Sequence, residues 1–310
     1  MNTRRIGMLE VSVVGLGCNN FGGRLDGERT SAVVDAAIDS GVTFFDTADI
    51  YGDTHSEELL GQALGSRRDH VVVATKFGVP YADHEGGGSP AYIRRAVHDS
   101  LRRLGTDHID LYQLHFPDDR TPIADTLGAL AELVREGLVR EVGCSNVTAD
   151  QLRAADRAGT EIGVRFASVQ NEYSILHREP EGPGGVLEVC AELGVAFLPY
   201  FPLANGLLTG KYRPGMPPPE GSRIGGLPAE RAAGLLREES LDTVAALEAA
   251  ASDAGISLVD LAVGWLLARH QVASVIAGAT SAEQVRMNAR AGGVEISEEL
   301  AAHVDRIAPA

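Results

Sequence analysis

The sequence of 310 residues lacks the features that define several classes of protein. Its three cysteines, Cys18, Cys144 and Cys190, lie far apart and form no CxxC pair, which disfavours a disulfide framework and a thiolate zinc site. No run of about 18 apolar residues could span a bilayer. The first residues, MNTRRIGMLEVSVVGLG, lack the apolar centre and cleavage pattern of a signal peptide. We therefore expect a cytoplasmic protein.

Basic residues are scarce as well, with 27 Lys and Arg against 43 Asp and Glu and a formal net charge of -16. Proteins that bind nucleic acids or anionic membranes neutralise phosphates with clustered Lys and Arg. The composition argues against both kinds of partner, and any site for an anionic ligand must be locally basic. The histidines lack metal-ligand spacing, so no metal site is predicted. The oligomeric state stays open.

Short apolar runs alternate with segments of helical period along the whole chain. The hydrophobic residues make up 44% of the sequence, which suffices for a large core. In TPIADTLGALAELVREG, for example, an apolar stripe runs from Ile123 to Val134, and Gly137 is placed to cap the helix. Eight runs have the composition of strands, at 13–16, 43–45, 71–75, 109–114, 139–144, 168–171, 196–200 and 274–277.

Eight successive strand–helix units favour a (β/α)8 TIM barrel, formed by a single domain over residues 1–310. The competing interpretation is a doubly wound sheet, which normally carries a GxGxxG motif after its first strand. Here Gly15 and Gly17 are present, but Asn20 stands at the position of the third glycine. The barrel is therefore the favoured fold.

Two further segments complete the predicted fold. The stretch KYRPGMPPPEGSRIGGLP, residues 211–228, is rich in Pro and Gly and predicts a long loop after the seventh strand. In a barrel, such a loop lies on the face that carries the active site. The last residues, SEELAAHVDRIAPA, predict a closing helix with Ser297 as its N-cap.

Polar residues at the carboxyl ends of the predicted strands are the candidates for chemistry, because these strand ends form the site in a barrel. Asp46 follows TFF, Lys76 follows VVVAT and His115 follows IDLYQL. Tyr51 lies in the loop after Asp46. Pairing Asp46 with Lys76 removes most of the cost of burying either charge alone.

These four residues together indicate proton transfer to a carbonyl group. A tyrosine with a pKa near 10 is a poor proton donor or acceptor at neutral pH, and a nearby ammonium group would lower that pKa. His115 could hold or polarise the carbonyl oxygen beside the phenol of Tyr51. The remaining requirement is a hydride source. Each residue alone has a structural interpretation, as an ion pair, a surface tyrosine or a core histidine; the four together favour a site.

The sequence resembles the aldo-keto reductases over nearly its whole length. The blocks that carry the resemblance, in this order, are FDTADIYGDTHSEELLGQAL, VVVATKFG, DHIDLYQLHFPD, GLVREVGCSN, ASVQNEYS, PYFPLANGLLTGKY and SVIAGATSAEQVRMNARA. The resemblance implies a (β/α)8 barrel that uses NAD(P)H without a Rossmann domain. It implies a carbonyl reductase in which Tyr51 is the general acid, Lys76 lowers the pKa of Tyr51, Asp46 pairs with Lys76, and His115 orients the carbonyl.

The resemblance also implies a set of residues that bind the cofactor. Ser145, Asn146 and Gln170 match the residues that hold the nicotinamide carboxamide, and Tyr200 matches the aromatic residue that stacks on the ring. The predicted cofactor-binding set comprises Gly17, Cys18, Asn19, Asp46, Ser145, Asn146, Gln170, Tyr200, Phe201, Pro202, Leu203, Asn205, Leu207, Lys211, Gly278, Thr280, Ser281, Gln284 and Asn288. Asn20 and Phe116 are the predicted substrate-pocket residues.

Some positions depart from the family pattern. Phe201 stands where a serine is usual, which removes a hydroxyl donor to the pyrophosphate and shifts the expected anchoring to Lys211. The loop GATSAEQ has no Lys or Arg to bind a 2'-phosphate, and Arg286 and Arg290 are the nearest candidates. NADPH is the expected cofactor, with NADH or dual use as the alternative. A second hypothesis for function is a cofactor-sensing regulatory subunit that resembles potassium-channel β subunits.

Overall fold

Eight parallel strands form a closed barrel in the computed structural model, which describes residues 1–81 and 84–310. The barrel strands are β3 (Val14–Gly17), β4 (Phe44–Asp46), β5 (Val72–Phe77), β6 (Ile109–Leu114), β7 (Val139–Ser145), β8 (Ser168–Glu172), β9 (Ala196–Tyr200) and β10 (Val275–Gly278). They pair in chain order, and β10 pairs with both β9 and β3 to close the ring. The barrel prediction is confirmed, and each of the eight predicted runs overlaps one barrel strand.

Helices surround the barrel in the order that the alternating pattern predicts. They are α1 (Gly27–Asp39), α2 (His55–Leu64), α3 (Pro90–Leu104), α4 (Ile123–Arg135), α5 (Ala149–Ile162), α6 (Val186–Leu193), α7 (Ala229–Leu235), α8 (Glu238–Asp253), α9 (Leu258–Leu267), α10 (Ala282–Ala291) and α11 (Glu298–Ile307). Helix α3 shows why these segments are helical, since Ser89 accepts a bond from the N–H of Tyr92 and Gly105 ends the helix in the left-handed conformation.

The predicted details of helix ends and of the long loop are largely confirmed. Ser297 caps α11, where its side chain accepts a bond from the N–H of Leu300. Helix α4 ends one residue before the predicted position, with Glu136 as its C-cap and Gly137 next to it at φ 77°. The loop at 211–228 contains one short 3-10 turn, Ile224–Gly226, in which Ile224 is fully buried. That buried side chain anchors the loop to the barrel.

An antiparallel hairpin, which the sequence did not predict, precedes the barrel. Its strands are β1 (Thr3–Ile6) and β2 (Leu9–Ser12). Ile6 and Val11 are fully buried and pack with the residues that fill the barrel interior, among them Phe44 and Leu198. The backbone N–H of Met8 donates to Glu141 near the beginning of β7. The hairpin therefore covers the end of the barrel at which the strands begin.

Strand alternation directs polar side chains into the opposite end of the barrel. Successive side chains in a strand point to opposite faces, so residues two apart share a face. Phe44 lies in the barrel interior, and Asp46, two residues later, points to the same side near the strand end. The register pairs Asp46 with Ala74 and Lys76 with Gln113. The strand pattern thus places Asp46, Lys76 and Gln113 together at the carboxyl end of the barrel.

Among the described residues, no single helix is long and apolar enough to cross a membrane. Helices α8 and α9 satisfy that criterion only when taken together, and they are bent by 89° at the break between them. Helix α9 is almost entirely buried inside the protein, with Trp265 fully enclosed. Trp265 is therefore a core residue, as its apolar helical stripe predicts.

Candidate active site

A buried ion pair lies at the carboxyl ends of strands β4 and β5. The ammonium Nζ of Lys76 donates to Asp46 Oδ2 at 2.7 Å and to the carbonyl oxygen of Thr47 at 2.9 Å. The second carboxylate oxygen, Oδ1, accepts bonds from the amides of Gln170 at 2.8 Å and Gln113 at 3.3 Å. Buried charges are tolerated when each is paired and hydrogen-bonded, and both conditions are met here.

The phenol of Tyr51 lies between this ion pair and His115. The Nζ of Lys76 is 5.2 Å from the centroid of the Tyr51 ring, and the rings of Tyr51 and His115 meet edge to face with centroids 5.9 Å apart. The four residues that the sequence selected are therefore close together. Only the turn in the loop after β4 makes this arrangement possible.

Gly52 is the residue that allows this turn. Its φ is 57°, in the left-handed region, and a Cβ at this position would lie 2.2 Å from the carbonyl oxygen of Phe21. A side chain would therefore clash with the backbone as well as strain the residue itself. The turn is closed by bonds from the N–H of Tyr51 to the carbonyl of Ala48 and from the N–H of His55 to that of Gly52.

The environment keeps Tyr51 protonated and Lys76 charged. Burial raises the pKa of Tyr51, and the positive charge of Lys76 opposes this rise without cancelling it. Burial also acts to lower the pKa of Lys76, but Asp46 and Tyr51 outweigh it, so the pKa of Lys76 lies above its ordinary value. The sequence predicted a Tyr51 pKa lowered by Lys76. In this structure Lys76 instead limits the rise of the Tyr51 pKa that burial causes. The phenol of Tyr51 is therefore protonated at neutral pH and can donate a proton.

His115 is neutral for a different reason. Burial and the nearby charge of Lys76 lower the pKa of His115 to about 3. Its ring stacks on Phe116, with centroids 5.1 Å apart, and its carbonyl oxygen accepts a bond from the side-chain amide of Asn146 at 3.0 Å. A neutral imidazole retains one N–H donor. His115 can therefore donate a hydrogen bond to a carbonyl oxygen without supplying a charge.

These residues form one end of a cavity of about 610 Å³ at the mouth of the barrel. Ligand sites of this kind usually have volumes of about 300–1,000 Å³. Most of the predicted site residues line it: Gly17, Asn19, Asn20, Asp46, Tyr51, His115, Phe116, Ser145, Asn146, Gln170, Tyr200, Phe201, Pro202, Leu203, Asn205, Lys211, Gly278, Thr280, Gln284 and Asn288.

Four predicted residues are absent from that cavity lining as the described residues define it. Lys76 lies behind Tyr51 and contacts Asp46 instead. Cys18 is fully buried, and burial raises the pKa of its thiol well above the ordinary value. Leu207 belongs to the buried core. Ser281 caps helix α10, where its side chain accepts a bond from the N–H of Gln284.

A chain of hydrogen bonds fixes the predicted nicotinamide residues. The hydroxyl of Tyr200 donates to Asn146 Oδ1 at 2.8 Å, and the amide of Asn146 donates to the hydroxyl oxygen of Ser145 at 3.1 Å. The Ser145 hydroxyl in turn donates to the carbonyl oxygen of Gln170 at 2.6 Å. Because the Gln170 side chain also bonds Asp46, this chain connects directly to the ion pair. The sequence did not predict that connection.

Sequence reasoning also missed two arginines that line the cavity, Arg24 and Arg223. The guanidinium of Arg223 lies 4.6 Å from the centroid of the Phe201 ring and donates through Nε to Asn205 Oδ1 at 3.0 Å. Arg24 donates to the carbonyl oxygen of Gly221 at 2.5 Å. Arg223 lies within the Pro- and Gly-rich loop, where no periodicity singles out a functional residue.

The cavity is therefore locally basic in an acidic protein. Arg24, Arg223 and Lys211 line it, and none of the three has a carboxylate partner within the part of the chain that the structure describes. Such a surface suits the phosphates of a dinucleotide. At the other end, Arg290 contacts Asp260 at 3.1 Å, and Met287 rather than a base lines the cavity. The residues present fit a nicotinamide dinucleotide.

Asp46, Tyr51, Lys76 and His115 form a tetrad beside a basic, elongated cavity at the mouth of the barrel. This arrangement is typical of a nicotinamide-dependent oxidoreductase that has no separate nucleotide-binding domain. The chain belongs to the Aldo/keto reductase family, whose match covers residues 13–309. The family uses NAD(P)H, and the protein is an NAD(P)H-dependent oxidoreductase. The resemblance read from the sequence blocks is thereby confirmed.

Known proteins resemble the chain over most of their own length. It is 36% identical to the aldo-keto reductase str7 of Strobilurus tenacellus, covering 99% of this chain and 91% of that protein. It is 33% identical to a probable aldo-keto reductase 1 of Glycine max, covering 94% and 83%. It is 32% identical to the L-glyceraldehyde 3-phosphate reductase of Escherichia coli O157:H7, covering 93% and 86%.

Proposed function

We propose that the protein reduces small aldehydes or ketones to alcohols in the cytoplasm, with NADPH as hydride source and Tyr51 as proton donor. The observation that carries the proposal is the contact of Tyr51 with both the buried Lys76–Asp46 pair and His115 at the end of the cavity. The similarity to named reductases supports the same chemistry. These relatives give no specific support to a regulatory, non-catalytic subunit.

The proposed mechanism assigns one task to each residue. The neutral imidazole of His115 donates a hydrogen bond to the carbonyl oxygen and holds it beside the Tyr51 hydroxyl. When bound in the cavity, a nicotinamide cofactor would be the source of the hydride for the carbonyl carbon. Tyr51 transfers its proton to the oxygen as negative charge develops there, and the ammonium of Lys76 stabilises the phenolate that is left. Asp46 keeps Lys76 charged and in place through the bond of 2.7 Å.

Cofactor preference follows from where the basic residues lie. Lys211 and Arg223 are placed to hold the phosphates that join the two nucleotides. The lining of the cavity near helix α10 consists of Thr280, Gln284, Met287 and Asn288, with no Lys or Arg among the described lining residues there. We propose that NADPH is used because it is typical of the family, and that NADH also supports a measurable rate because a 2'-phosphate gains little from these neutral side chains.

The test is a comparison of initial rates with NADPH and NADH over a panel of carbonyl compounds. The panel should include aromatic aldehydes, quinones, ketosteroids, open-chain sugars and L-glyceraldehyde 3-phosphate, the last because a relative is named for it. We expect oxidation of the cofactor with several members of the panel. Tight cofactor binding without oxidation on any member would contradict the proposal and favour a regulatory protein.

Replacing Arg223 by alanine should raise the dissociation constant for NADPH by roughly tenfold or more, because a charge-assisted hydrogen bond contributes about 1.5–3 kcal/mol. The effect should shrink at high salt, and kcat should change little. Titration of cofactor fluorescence at two salt concentrations measures it. Arg5→Ala is the control, since Arg5 is exposed on strand β1 at the opposite end of the barrel and lies outside the described cavity lining. Equal loss of affinity in both variants would show only a general effect of charge.

A further inference from the structure

A second aspartate, Asp49, lies between Asp46 and Tyr51 in the sequence, and the mechanism above does not use it. Asp49 occupies the point at which the loop after β4 stops pairing with strand β5. The N–H of Thr47 donates to the carbonyl of Ala74 at 2.9 Å, and the N–H of Asp49 donates to the carbonyl of Lys76 at 3.1 Å. After Asp49 the chain turns away from strand β5, and Tyr51 follows two residues later.

The side chain of Asp49 is fully buried and poorly paired. Its Oδ2 accepts one long bond from the hydroxyl of Tyr92 at 3.4 Å, and its Oδ1 has no partner within residues 1–81 and 84–310. An ionised carboxylate in such a place costs several kcal/mol. The structure is therefore compatible with Asp49 as a neutral acid rather than as an anion.

The neighbouring Glu57 is a buried carboxylate that has both a cationic partner and a hydrogen-bond donor. Glu57 is also fully buried, but it pairs with Arg103 Nε at 2.6 Å and accepts a bond from the hydroxyl of Thr75 at 2.6 Å. The arginine is thus already engaged by Glu57. A charge on Asp49 would lie beside a second buried negative charge without a cation of its own.

Titratable groups from four neighbouring elements surround Asp49. They are Glu57 on α2, Tyr92 and Arg103 on α3, Tyr81 after β5 and Tyr112 on β6. The ring of His84 stacks on that of Tyr81. Burial raises the pKa of Asp49 to about 8. The charge of Glu57 adds to this rise, and that of Arg103 opposes it. Asp49 would therefore change charge just above neutral pH, before Tyr51 does.

We propose that Asp49 is a positioning residue for Tyr51: while its buried side chain is neutral, its backbone N–H keeps the loop paired to strand β5, and ionisation of that side chain breaks the pairing and displaces the phenol from His115. The consequence for turnover rests on the proposed function, whereas the effect on the loop does not. Asp49 does not touch the reacting atoms, so it acts only through the placement of Tyr51.

The test compares the wild type with Asp49→Asn, which mimics the neutral acid in size and shape. Asp53→Asn is the matched control, because Asp53 is exposed on the same loop and its φ of 52° is one that asparagine tolerates. At pH 9 a group that titrates near 8 is neutral in about one molecule in ten. We expect kcat for reduction by the wild type and Asp53→Asn to fall about tenfold between pH 7 and pH 9, while Asp49→Asn keeps its rate. Superimposable profiles for the three proteins would overturn the proposal.

Amide hydrogen exchange over residues 47–56 gives a readout that does not depend on turnover. After correction for the intrinsic rate at each pH, exchange at pH 9 should be several-fold faster in the wild type and Asp53→Asn than in Asp49→Asn. Equal exchange in all three would overturn the proposal even if the enzyme is active. A wild type that reduces no carbonyl compound would refute the proposed function, while exchange still decides the role of Asp49.

Thermal unfolding measures whether the charge of Asp49 changes the stability of the whole protein as well as the position of the loop. The folded pKa of Asp49 lies above the unfolded value near 3.9, so its contribution to stability is lost as pH rises from about 4 to about 8. Asp49→Asn should therefore melt above the wild type at pH 8, and the difference should vanish near pH 4. A difference that is independent of pH would contradict a buried neutral acid at this position.

Discussion

Replacing Tyr51 by phenylalanine is expected to lower kcat for carbonyl reduction by roughly 10²- to 10⁴-fold, which is the usual contribution of a positioned general acid. The substitution removes only the hydroxyl, so the ring can keep its edge-to-face contact with His115 and its place beside Lys76. Binding of the cofactor should be almost unchanged. Steady-state rates, together with fluorescence titration of NADPH, test both expectations.

A second tyrosine provides the control for this substitution. Tyr112 is fully buried, and its hydroxyl has no hydrogen-bond partner among the described residues. Removal of such a hydroxyl is close to neutral or stabilising. Tyr112→Phe should therefore turn over like the wild type at neutral pH. A Tyr51→Phe variant that retained full activity would exclude Tyr51 as the proton donor.

Replacing Lys76 by methionine should destabilise the protein by about 3–5 kcal/mol and abolish most activity. The substitution leaves the Asp46 carboxylate buried with only the amides of Gln113 and Gln170 as donors. It also removes the charge that limits the pKa of Tyr51 and would stabilise the phenolate. Urea unfolding measures the change in stability, and initial rates measure the change in turnover.

The double variant Asp46→Asn, Lys76→Met separates these two effects. Without a carboxylate at position 46, no unpaired charge remains, so most of the lost stability should return while activity stays low. A single variant as stable as the wild type would show that the pair contributes little to folding.

The sequence was sufficient to predict the barrel, and the position of three of the four candidate residues, because both depend on strand periodicity. Asp46, Lys76 and His115 each follow an apolar run directly, and parallel strands bring their carboxyl ends to one face. The presence of Tyr51 beside them depends on a turn that strand periodicity does not predict, and the glycine after Tyr51 is its only local signal in the sequence. The structure adds the contact of Gly52 with Phe21 that explains the glycine.

Other parts of the structure carry no comparable signal in the sequence. The strands of the hairpin are four residues long: β1, TRRI, has three polar residues, and the alternation in β2, LEVS, covers only four residues, so neither gives a strong strand pattern. Arg223 lies in a loop whose path depends on the burial of Ile224, a tertiary contact. The bond from Gln170 to Asp46 joins side chains 124 residues apart and depends on the register of several strands.

The hairpin covers the end of the barrel at which the strands begin, and this affects the route by which Tyr51 would regain a proton after each catalytic cycle. Ile6 and Val11 fill that end together with apolar side chains of the barrel interior, and this apolar layer separates Tyr51 from the solvent on that side. Lys76, behind the phenol, is itself enclosed and bonded to Asp46. In the proposed mechanism, the proton that Tyr51 gives to the substrate would therefore return from bulk solvent through the mouth of the barrel, the same opening through which the alcohol would leave.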